Sequence, residues 1–193
     1  MKFRSALVAA ATVALVVPSG SALADTVVRK DQAGDVSKSV GDTTTPDPSR
    51  KNGDITRSVI KHQGSSVRVK IKHRDLVRSG NIITVVSVRS SKGKKAQRTF
   101  SIVAVPGGYA GKVLVENAKE KTVSCRTKHT ISYRKNTTEL VIPRSCLGNP
   151  KWVKVGIGVI TATKDLETAY ADDARTSGTV SGDDPVLSKR LYR

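Results

Sequence analysis

The sequence contains few of the residues from which enzyme active sites are usually built. Its three histidines are His62, His73 and His129, and it has neither an HExxH nor a GxSxG motif. Its two cysteines, Cys125 and Cys146, are too few for a zinc site without histidines at a matching spacing. A triad of one histidine with a distant serine and aspartate stays open. We predict that the protein is not an enzyme.

Aromatic residues make up only 4% of the chain. Proteins that read single-stranded nucleic acid usually stack bases on several aromatic side chains, so we expect no sequence-specific nucleic-acid binding. A sugar-stacking platform would also need aromatics on one face, whereas Tyr109, Tyr133 and Tyr170 are scattered along the chain. Trp152 is therefore expected to pack over a disulfide in the core, with a sugar platform as the alternative.

Acidic residues are fewer than half as numerous as basic ones, with 16 Asp and Glu against 34 Lys and Arg and a formal net charge of +18. Such an excess does not specify a fold, but it attracts polyanions. The partners we expect are an anionic cell-wall polymer or an acidic polysaccharide. The preferred functional interpretation is a non-catalytic binding module.

Long hydrophobic runs are missing except near the start, where residues 6–17 form an apolar run of twelve. Lys2 and Arg4 precede it and an Ala-Leu-Ala sequence at 22–24 follows it, which is typical of a secretory signal peptide. The run is shorter than the roughly 20 residues of a membrane span, so we expect no transmembrane segment. We predict a signal peptide at 1–24 and a secreted, extracellular protein, free or loosely attached to the cell wall. Loss of the two basic residues would lower the charge from +18 to +16.

Short stretches with a period of two recur about every ten residues, and no long amphipathic helix is visible. In the clearest one, Val67, Val69 and Ile71 alternate with basic residues. The pattern predicts an all-β fold, an antiparallel β-sandwich of about 8–10 strands, Ig-like or jelly-roll-like, with one disulfide. A barrel is the alternative.

The chain is predicted to hold one domain after the signal peptide. Residues 25–53 are rich in polar and turn-forming residues and predict an irregular N-terminal arm. Residues 54–193 predict the sandwich, including a polar C-terminal segment. We expect a monomer.

Two neighbouring runs in the second half of the chain predict a hairpin beside the disulfide. Residues 130–135 and 138–142 are rich in β-branched residues and flank a two-residue loop that begins at Asn136. With that loop, Cys125 and Cys146 would lie within about two residues of register, close enough to be bonded. An even number of cysteines in an oxidising compartment also favours a disulfide.

Basic side chains supply the first candidate site. They alternate along one strand and follow in a turn region further on, and they predict a polyanion-binding face. Its residues are Arg68, Lys70, Lys72, Lys94, Lys95 and Arg98. The alternative is an ordinary solvated face that keeps the sheet soluble and prevents edge-to-edge pairing.

Aspartates supply the second candidate site, because carboxylates in loops are the hard oxygen ligands that calcium prefers. The candidates are Asp31, Asp35, Asp172 and Asp173, with a further pair at Asp183 and Asp184. Their spacing matches no EF-hand, and aspartate is also common in turns for local reasons. A calcium site requires that the two ends of the chain meet in space. No other cofactor is expected.

Five sequence features together carry a resemblance to a known group. They are DxxGD at 31–35, GDI at 53–55, Asp-Leu at 75–76, PRSCLGNPKWVKVG at 143–156 and YADDA at 170–174. The chain resembles uncharacterised secreted β-sandwich proteins of actinobacteria and, more loosely, DOMON-like and family-nine carbohydrate-binding sandwiches. The resemblance implies the fold and secretion, and it implies no activity.

A second functional hypothesis is a secreted enzyme or enzyme inhibitor that acts through an exposed loop. The glycine-rich segment 105–111 is the candidate loop, since it lies between two predicted strands. A rigid exposed loop, or a histidine hydrogen-bonded to an accessible nucleophile, would favour this hypothesis.

Overall fold

The structure is a computed structural model that describes residues 25–178, 180 and 184–193. Within these residues thirteen strands form two antiparallel sheets, and no α-helix is present. The predicted signal peptide at 1–24 and Asp183 lie outside the described residues. The described part contains no helix with the length and apolar character needed to cross a membrane.

The first sheet has five strands in the order β1-β4-β5-β10-β9. Their bounds are β1 Asp25–Lys30, β4 Ile55–His62, β5 Ser66–His73, β9 Lys128–Ser132 and β10 Thr137–Pro143.

The second sheet has eight strands, ordered β3-β2-β12-β11-β6-β7-β8, with β13 also paired to β11. The bounds are β2 Ser37–Val40, β3 Thr43–Pro46, β6 Asn81–Ser90, β7 Arg98–Ala104, β8 Lys112–Asn117, β11 Trp152–Ala162, β12 Thr168–Asp173 and β13 Leu191–Tyr192. Short 3₁₀ turns occupy Lys94–Ala96 and Arg144–Leu147.

The two sheets pack face to face around a main apolar core, as the alternation predicted, and Leu76, Ile82 and Ala104 form a second, smaller apolar cluster. In β5 every second residue is buried and the residues between are exposed, because successive side chains of a strand point to opposite faces. Phe100 of β7 and Ile157 of β11 meet this layer from the second sheet. The fold is therefore the predicted antiparallel β-sandwich, and it has more strands than expected.

The predicted disulfide between Cys125 and Cys146 is confirmed, with the Cα atoms 5.7 Å apart. Both cysteines pack against the core directly. Trp152 lies outside that core, half-buried, with the Arg190 guanidinium 4.5 Å from its ring centroid. The core role predicted for Trp152 is wrong because its side chain points to the outer face of β11, where a cation–π contact with Arg190 covers the ring.

The predicted hairpin exists, but its register differs from the expectation. Thr137 pairs with Ser132, so the loop is 133–136 and not two residues. Asn136 does have a positive φ, of 50°. It adopts this conformation as the last residue of a four-residue loop, since other loop lengths also need one left-handed residue.

The N-terminal arm predicted as irregular contains three strands. β1 pairs with β4 over its whole length, and β2 pairs with both β3 and β12. These strands are short, polar and near the sheet edges, so they lack the apolar alternation of a buried strand. Pairing with neighbours, rather than their own side chains, makes them strands.

Residues 184–192, which we call the closing segment, complete the edge of β11. The Ser188 N–H donates to the Val155 carbonyl at 2.9 Å, and Leu191 pairs with Val153. Pro185 lies directly on Gly156, where an added Cβ would come within 2.4 Å of the Pro185 carbonyl oxygen. Only a glycine allows two backbones to approach so closely.

Candidate functional site

The outer face of the five-stranded sheet carries a dense group of basic side chains. β4 and β5 present exposed residues at every second position, and β1 and β9 add one lysine each. Among the described residues of these strands and the neighbouring strand β10, Glu139 is the one acidic side chain on this face. The basic members are Lys30, Arg57, Lys61, Arg68, Lys70, Lys72 and Lys128. We call this set the basic face.

Basic residues on this face lie directly opposite one another across the strands. Lys61 pairs with Arg68, and Arg57 pairs with both Lys72 and Lys30. All five side chains are exposed. Like charges in directly opposed positions destabilise a sheet, whereas opposite charges would stabilise it. The arrangement therefore costs folding stability.

A single ion pair offsets part of this repulsion. Lys70 Nζ lies 2.7 Å from Glu139 Oε1, and both side chains are partly exposed. A surface pair of this kind contributes roughly 0–1 kcal/mol. No other ion pair with this face is formed by the residues that the structure describes, so the face keeps a positive potential.

The centre of the basic face is a shallow depression with an apolar floor. Val28 and Val59 pair across β1 and β4 and form that floor. Arg57, Lys61 and Arg68 surround it, together with Lys70 and Glu139. The depression could hold the aliphatic parts of a ligand while the rim binds its anionic groups.

The six residues predicted for polyanion binding are divided between the two sheets. Arg68, Lys70 and Lys72 lie together on β5 in the basic face. The others lie elsewhere: Lys94 and Lys95 are in the 3₁₀ turn before β7, and Arg98 begins β7 of the second sheet. The structure therefore joins half of the predicted set to Arg57 and Lys61 instead.

A second site is formed where carboxylates from three distant parts of the chain meet between the sheets. Asp35 precedes β2, Asp54 immediately precedes β4, and Asp172 lies in β12. Each offers one oxygen, and these oxygens all lie within 4.8 Å of one another. Asp31, half-buried, lies beside them at the end of β1. We call these four residues the acidic cluster.

The cluster is held by backbone amides on one side only. The Ile55 N–H donates to Asp172 Oδ2 at 2.5 Å, and the Gly34 N–H donates to Asp54 Oδ2 at 2.8 Å. Arg74 Nη1 lies 3.3 Å from the same Asp54 oxygen. The second oxygen of each of these two carboxylates is buried without a hydrogen-bond partner.

Burial has a strong effect on the ionisation of these carboxyls. It raises the pKa of Asp172 to about 8 and that of Asp31 to about 7, and the neighbouring carboxylates add to both rises. The pKa of Asp35 is also raised, first by burial and then by Asp54, while backbone amides oppose the rise. Three carboxyls with raised pKa values in one place indicate a concentration of acidic groups without enough cation.

The four aspartates predicted as calcium ligands are thus partly brought together. Asp31, Asp35 and Asp172 belong to the acidic cluster. Asp173 has its own partners, because the N–H groups of Arg175 and Val186 donate to its two oxygens at 2.8 and 2.7 Å. It anchors the closing segment and has no oxygen left over for this role.

Sequence reasoning missed Asp54 as a candidate ligand, although it is fully buried. The sequence does contain a sign of this burial, because a Gly-Asp pair stands directly before the first apolar strand. An aspartate at that position is carried into the sandwich where the strand begins. Asp184 is exposed, and its Oδ1 lies 3.4 Å from Ser87 Oγ, outside the cluster.

No described histidine forms an accessible catalytic pair. His73 Nε2 lies 3.1 Å from Thr138 Oγ1, but both residues are buried. His62 and His129 contact backbone carbonyl oxygens. That the protein is not an enzyme stays a prediction, because these distances do not test catalytic activity.

The loop at 105–111 connects β7 and β8 and is mostly exposed. The Tyr109 hydroxyl donates to the Gly80 carbonyl at 3.2 Å, and the Tyr133 hydroxyl donates to the Tyr109 carbonyl at 2.9 Å. The His129 ring also contacts the Ala110 carbonyl at 3.1 Å, so the loop is anchored at two neighbouring residues. The loop is thus exposed and partly fixed, which meets in part the condition of a rigid exposed loop that the inhibitor hypothesis requires. It identifies no target.

Comparison with protein-family models gave no match, and comparisons with curated proteins and with solved structures gave none either. The resemblance to secreted actinobacterial sandwiches and to DOMON-like and family-nine domains therefore stays a prediction. The functional argument has to come from the two sites themselves.

Proposed function

We propose that this protein is a secreted, non-catalytic module that binds an acidic extracellular polymer, such as an acidic polysaccharide or an anionic cell-wall polymer, through the basic face. The observation that carries the proposal is the direct opposition of basic residues across β1, β4 and β5. This arrangement lowers stability in the free protein and becomes favourable when anions lie over it.

The alternative, a merely solvated face, does not require this arrangement. A strand exposed to water needs polar residues, but threonine, serine or alternating charges would serve equally well. Opposite charges across Lys61 and Arg68 would even add stability. The free protein instead accepts repulsion at three cross-strand positions, which favours a role for the positive charge in binding.

The shape of the face favours a chain-like ligand. Neighbouring strands lie about 4.8 Å apart, and residues i and i+2 on one strand lie about 6.6 Å apart, so the cations form a regular two-dimensional array. An open array of this kind can contact many regularly spaced anionic groups of one polymer at once. A small anion would use only one or two of the cations.

The test is a pair of charge-matched triple variants. Arg57→Gln, Lys61→Gln and Arg68→Gln together remove three charges from the basic face. Lys92→Gln, Lys94→Gln and Lys95→Gln remove three exposed charges near the 3₁₀ turn that precedes β7. Both proteins then carry the same net charge, so a difference in binding reports on position.

Binding to immobilised heparin is measured at several salt concentrations, with neutral glucan as the blank. We expect the basic-face variant to lose at least 10-fold in affinity and about two to three units of the slope of log K against log salt. The control variant should keep most of both. Equal losses in the two variants would mean that binding reflects net charge alone, and the proposal would be wrong.

The same variants also report on stability. Removing three mutually repelling charges should leave the free energy of unfolding unchanged or raise it by about 0.5–1 kcal/mol. Loss of binding with equal or greater stability is the pattern expected of a binding surface. A large loss of stability would instead assign these residues a structural role.

A further inference from the structure

The acidic cluster has the geometry of a buried site for a hard cation. The contributing oxygens of Asp35, Asp54 and Asp172 are mutually within 4.8 Å. Calcium ligands lie 2.3–2.6 Å from the ion, so two oxygens on opposite sides of one calcium are about 4.8 Å apart. All three side chains can therefore reach a single ion without rearrangement.

Unpartnered buried oxygens provide an observation independent of the clustering. Among the described residues, no donor forms a hydrogen bond of normal geometry with Asp54 Oδ1, Asp172 Oδ1 or either oxygen of Asp35, in residues that are 0%, 3% and 5% exposed. Buried polar atoms are nearly always partnered, and each exception requires an explanation. Five of the nine such atoms among the described residues belong to the acidic cluster, and this concentration indicates a missing common partner.

The other oxygens of the same carboxylates show how the site is held. The amides of Ile55 and Gly34 hold Asp172 and Asp54 in place through one oxygen each, which leaves the other oxygen of each carboxylate free for an ion. Asp31 Oδ2 is a further buried oxygen without a partner. A ligand set fixed by backbone amides is preorganised and needs little reordering to bind.

The balance of acidic and basic groups also favours a cation. Arg74 is the one basic side chain among the described residues within ion-pair distance of the cluster, and it contacts only Asp54. The four carboxyls still outnumber the basic side chains beside them, which are Arg74 at Asp54 and Arg29 and Arg175 at Asp31, in a protein that is otherwise strongly basic. A divalent ion would offset most of this excess.

The chemistry of the ligands selects among cations. The ligand group among the described residues consists of carboxylate oxygens, without histidine or cysteine. Protein zinc sites are usually built from histidine and cysteine, so zinc is not the expected ion. Magnesium keeps several of its waters and requires near-octahedral geometry at 2.0–2.1 Å, whereas calcium accepts more protein oxygens and irregular geometry. A buried group of several carboxylates suits calcium better.

We propose that Asp35, Asp54 and Asp172, with Asp31 at the rim, bind one calcium ion that joins the N-terminal arm to both sheets. Asp54 leads into the five-stranded sheet and Asp172 belongs to the eight-stranded sheet. Asp35 leads into β2. The ion is a structural one that joins these three pieces, and it is independent of the basic face.

The first test is a calcium titration of the purified secreted protein after treatment with EGTA, by isothermal titration calorimetry. We expect one calcium per chain and no comparable binding of magnesium. The melting temperature should rise with calcium, and at one hundred times Kd the folded-to-unfolded ratio rises about 100-fold. Absence of saturable one-to-one binding would overturn the proposal, as would equal binding of magnesium.

The second test uses Asp35→Asn and Asp172→Asn with Asp42→Asn as the control, since Asp42 is exposed and outside the cluster. The two cluster variants should lose at least 100-fold in calcium affinity and show no calcium-dependent rise in melting temperature. Asp42→Asn should behave as the wild type does. If a cluster variant does not fold, the wild-type titration still decides.

A shared proton is the competing explanation for the unpartnered oxygens. Two results together would show that the cluster holds protons rather than a metal. The first is that the wild type binds no calcium. The second is that, at pH values where the wild-type cluster is ionised, Asp172→Asn melts at a higher temperature than the wild type does with or without calcium. Those results would overturn the calcium site and leave the proposal for the basic face intact.

Discussion

Reduction of the disulfide should destabilise the protein by an amount that follows from its position in the chain. Cys125 and Cys146 are 21 residues apart. In the chain-entropy treatment, a cross-link that closes a loop of this length lowers the entropy of the unfolded state and so raises its free energy by about 3.3 kcal/mol at 25 °C. Reduction returns that freedom, so the free energy of unfolding should fall by about 3 kcal/mol.

The structure adds a local effect to this global one. Residues 118–127 connect β8 and β9 and are largely exposed, and only Val123 and Cys125 from this segment pack against the core. The Val123 N–H donates to the Val115 carbonyl at 2.8 Å, which leaves the disulfide as the main link of the segment's second half. Reduction should therefore increase amide exchange first in this segment.

The assay is urea unfolding of the oxidised protein, the reduced protein and the Cys125→Ala, Cys146→Ala double variant. The reduced protein keeps both sulfur atoms in place, so its difference from the oxidised form isolates the cross-link, and the double variant adds the loss of packing. The m-value should rise on reduction because the unfolded chain exposes more surface. A loss below about 1 kcal/mol, with no change in m, would refute the entropic reasoning.

Two further predictions concern buried groups. Burial lowers the pKa of His73 from 6.5 to about 4. The unfolded chain therefore takes up a proton near pH 6.5, whereas the folded chain does so only near pH 4. The free energy of unfolding should fall by up to about 3 kcal/mol as the pH falls from 6.5 to 4. His73→Gln should show a smaller fall in urea unfolding at pH 7 and 4.5, and an equal fall would contradict the assignment. Gly156→Ala places a Cβ 2.4 Å from the Pro185 carbonyl and should displace the closing segment, at a cost of about 1–3 kcal/mol in thermal unfolding. Gly64→Ala, where nothing lies within 4 Å of an added Cβ, is the matched control and should be neutral.

The parts of the fold that could be predicted are those in which one face of a strand is buried. In β5 the valines and isoleucine alternate with cations, so the sequence itself records which face meets the core. In β7, Phe100, Ile102 and Ala104 are likewise buried at alternate positions. β2 and β12 could not be predicted in this way, because their residues are polar or small and their strand conformation depends on neighbours that are distant in the chain.

The same difference explains what could be predicted of the sites. Arg68, Lys70 and Lys72 are neighbours in one strand, so their common face follows from local geometry. The acidic cluster depends on a meeting between Ile55 and Asp172, which are 117 residues apart. No spacing rule reports such a contact, and the turn-forming character of aspartate hides the ligand role behind a local explanation.

The closing segment has a consequence for how the chain acquires its structure as it is made. β11 lies next to β6, but the other edge of its first half is covered only when residues 184–192 have arrived, and the Tyr192 N–H then donates to Asp25 Oδ2 at 3.0 Å. A chain that leaves a ribosome or an export pore with its N-terminal end first cannot complete this sheet until those last residues are free. Until then the exposed edge at 152–157 is open to pairing with other chains. This sheet is therefore expected to be completed only once residue 192 has emerged, and a nascent chain stalled before residue 184 should aggregate or engage chaperones.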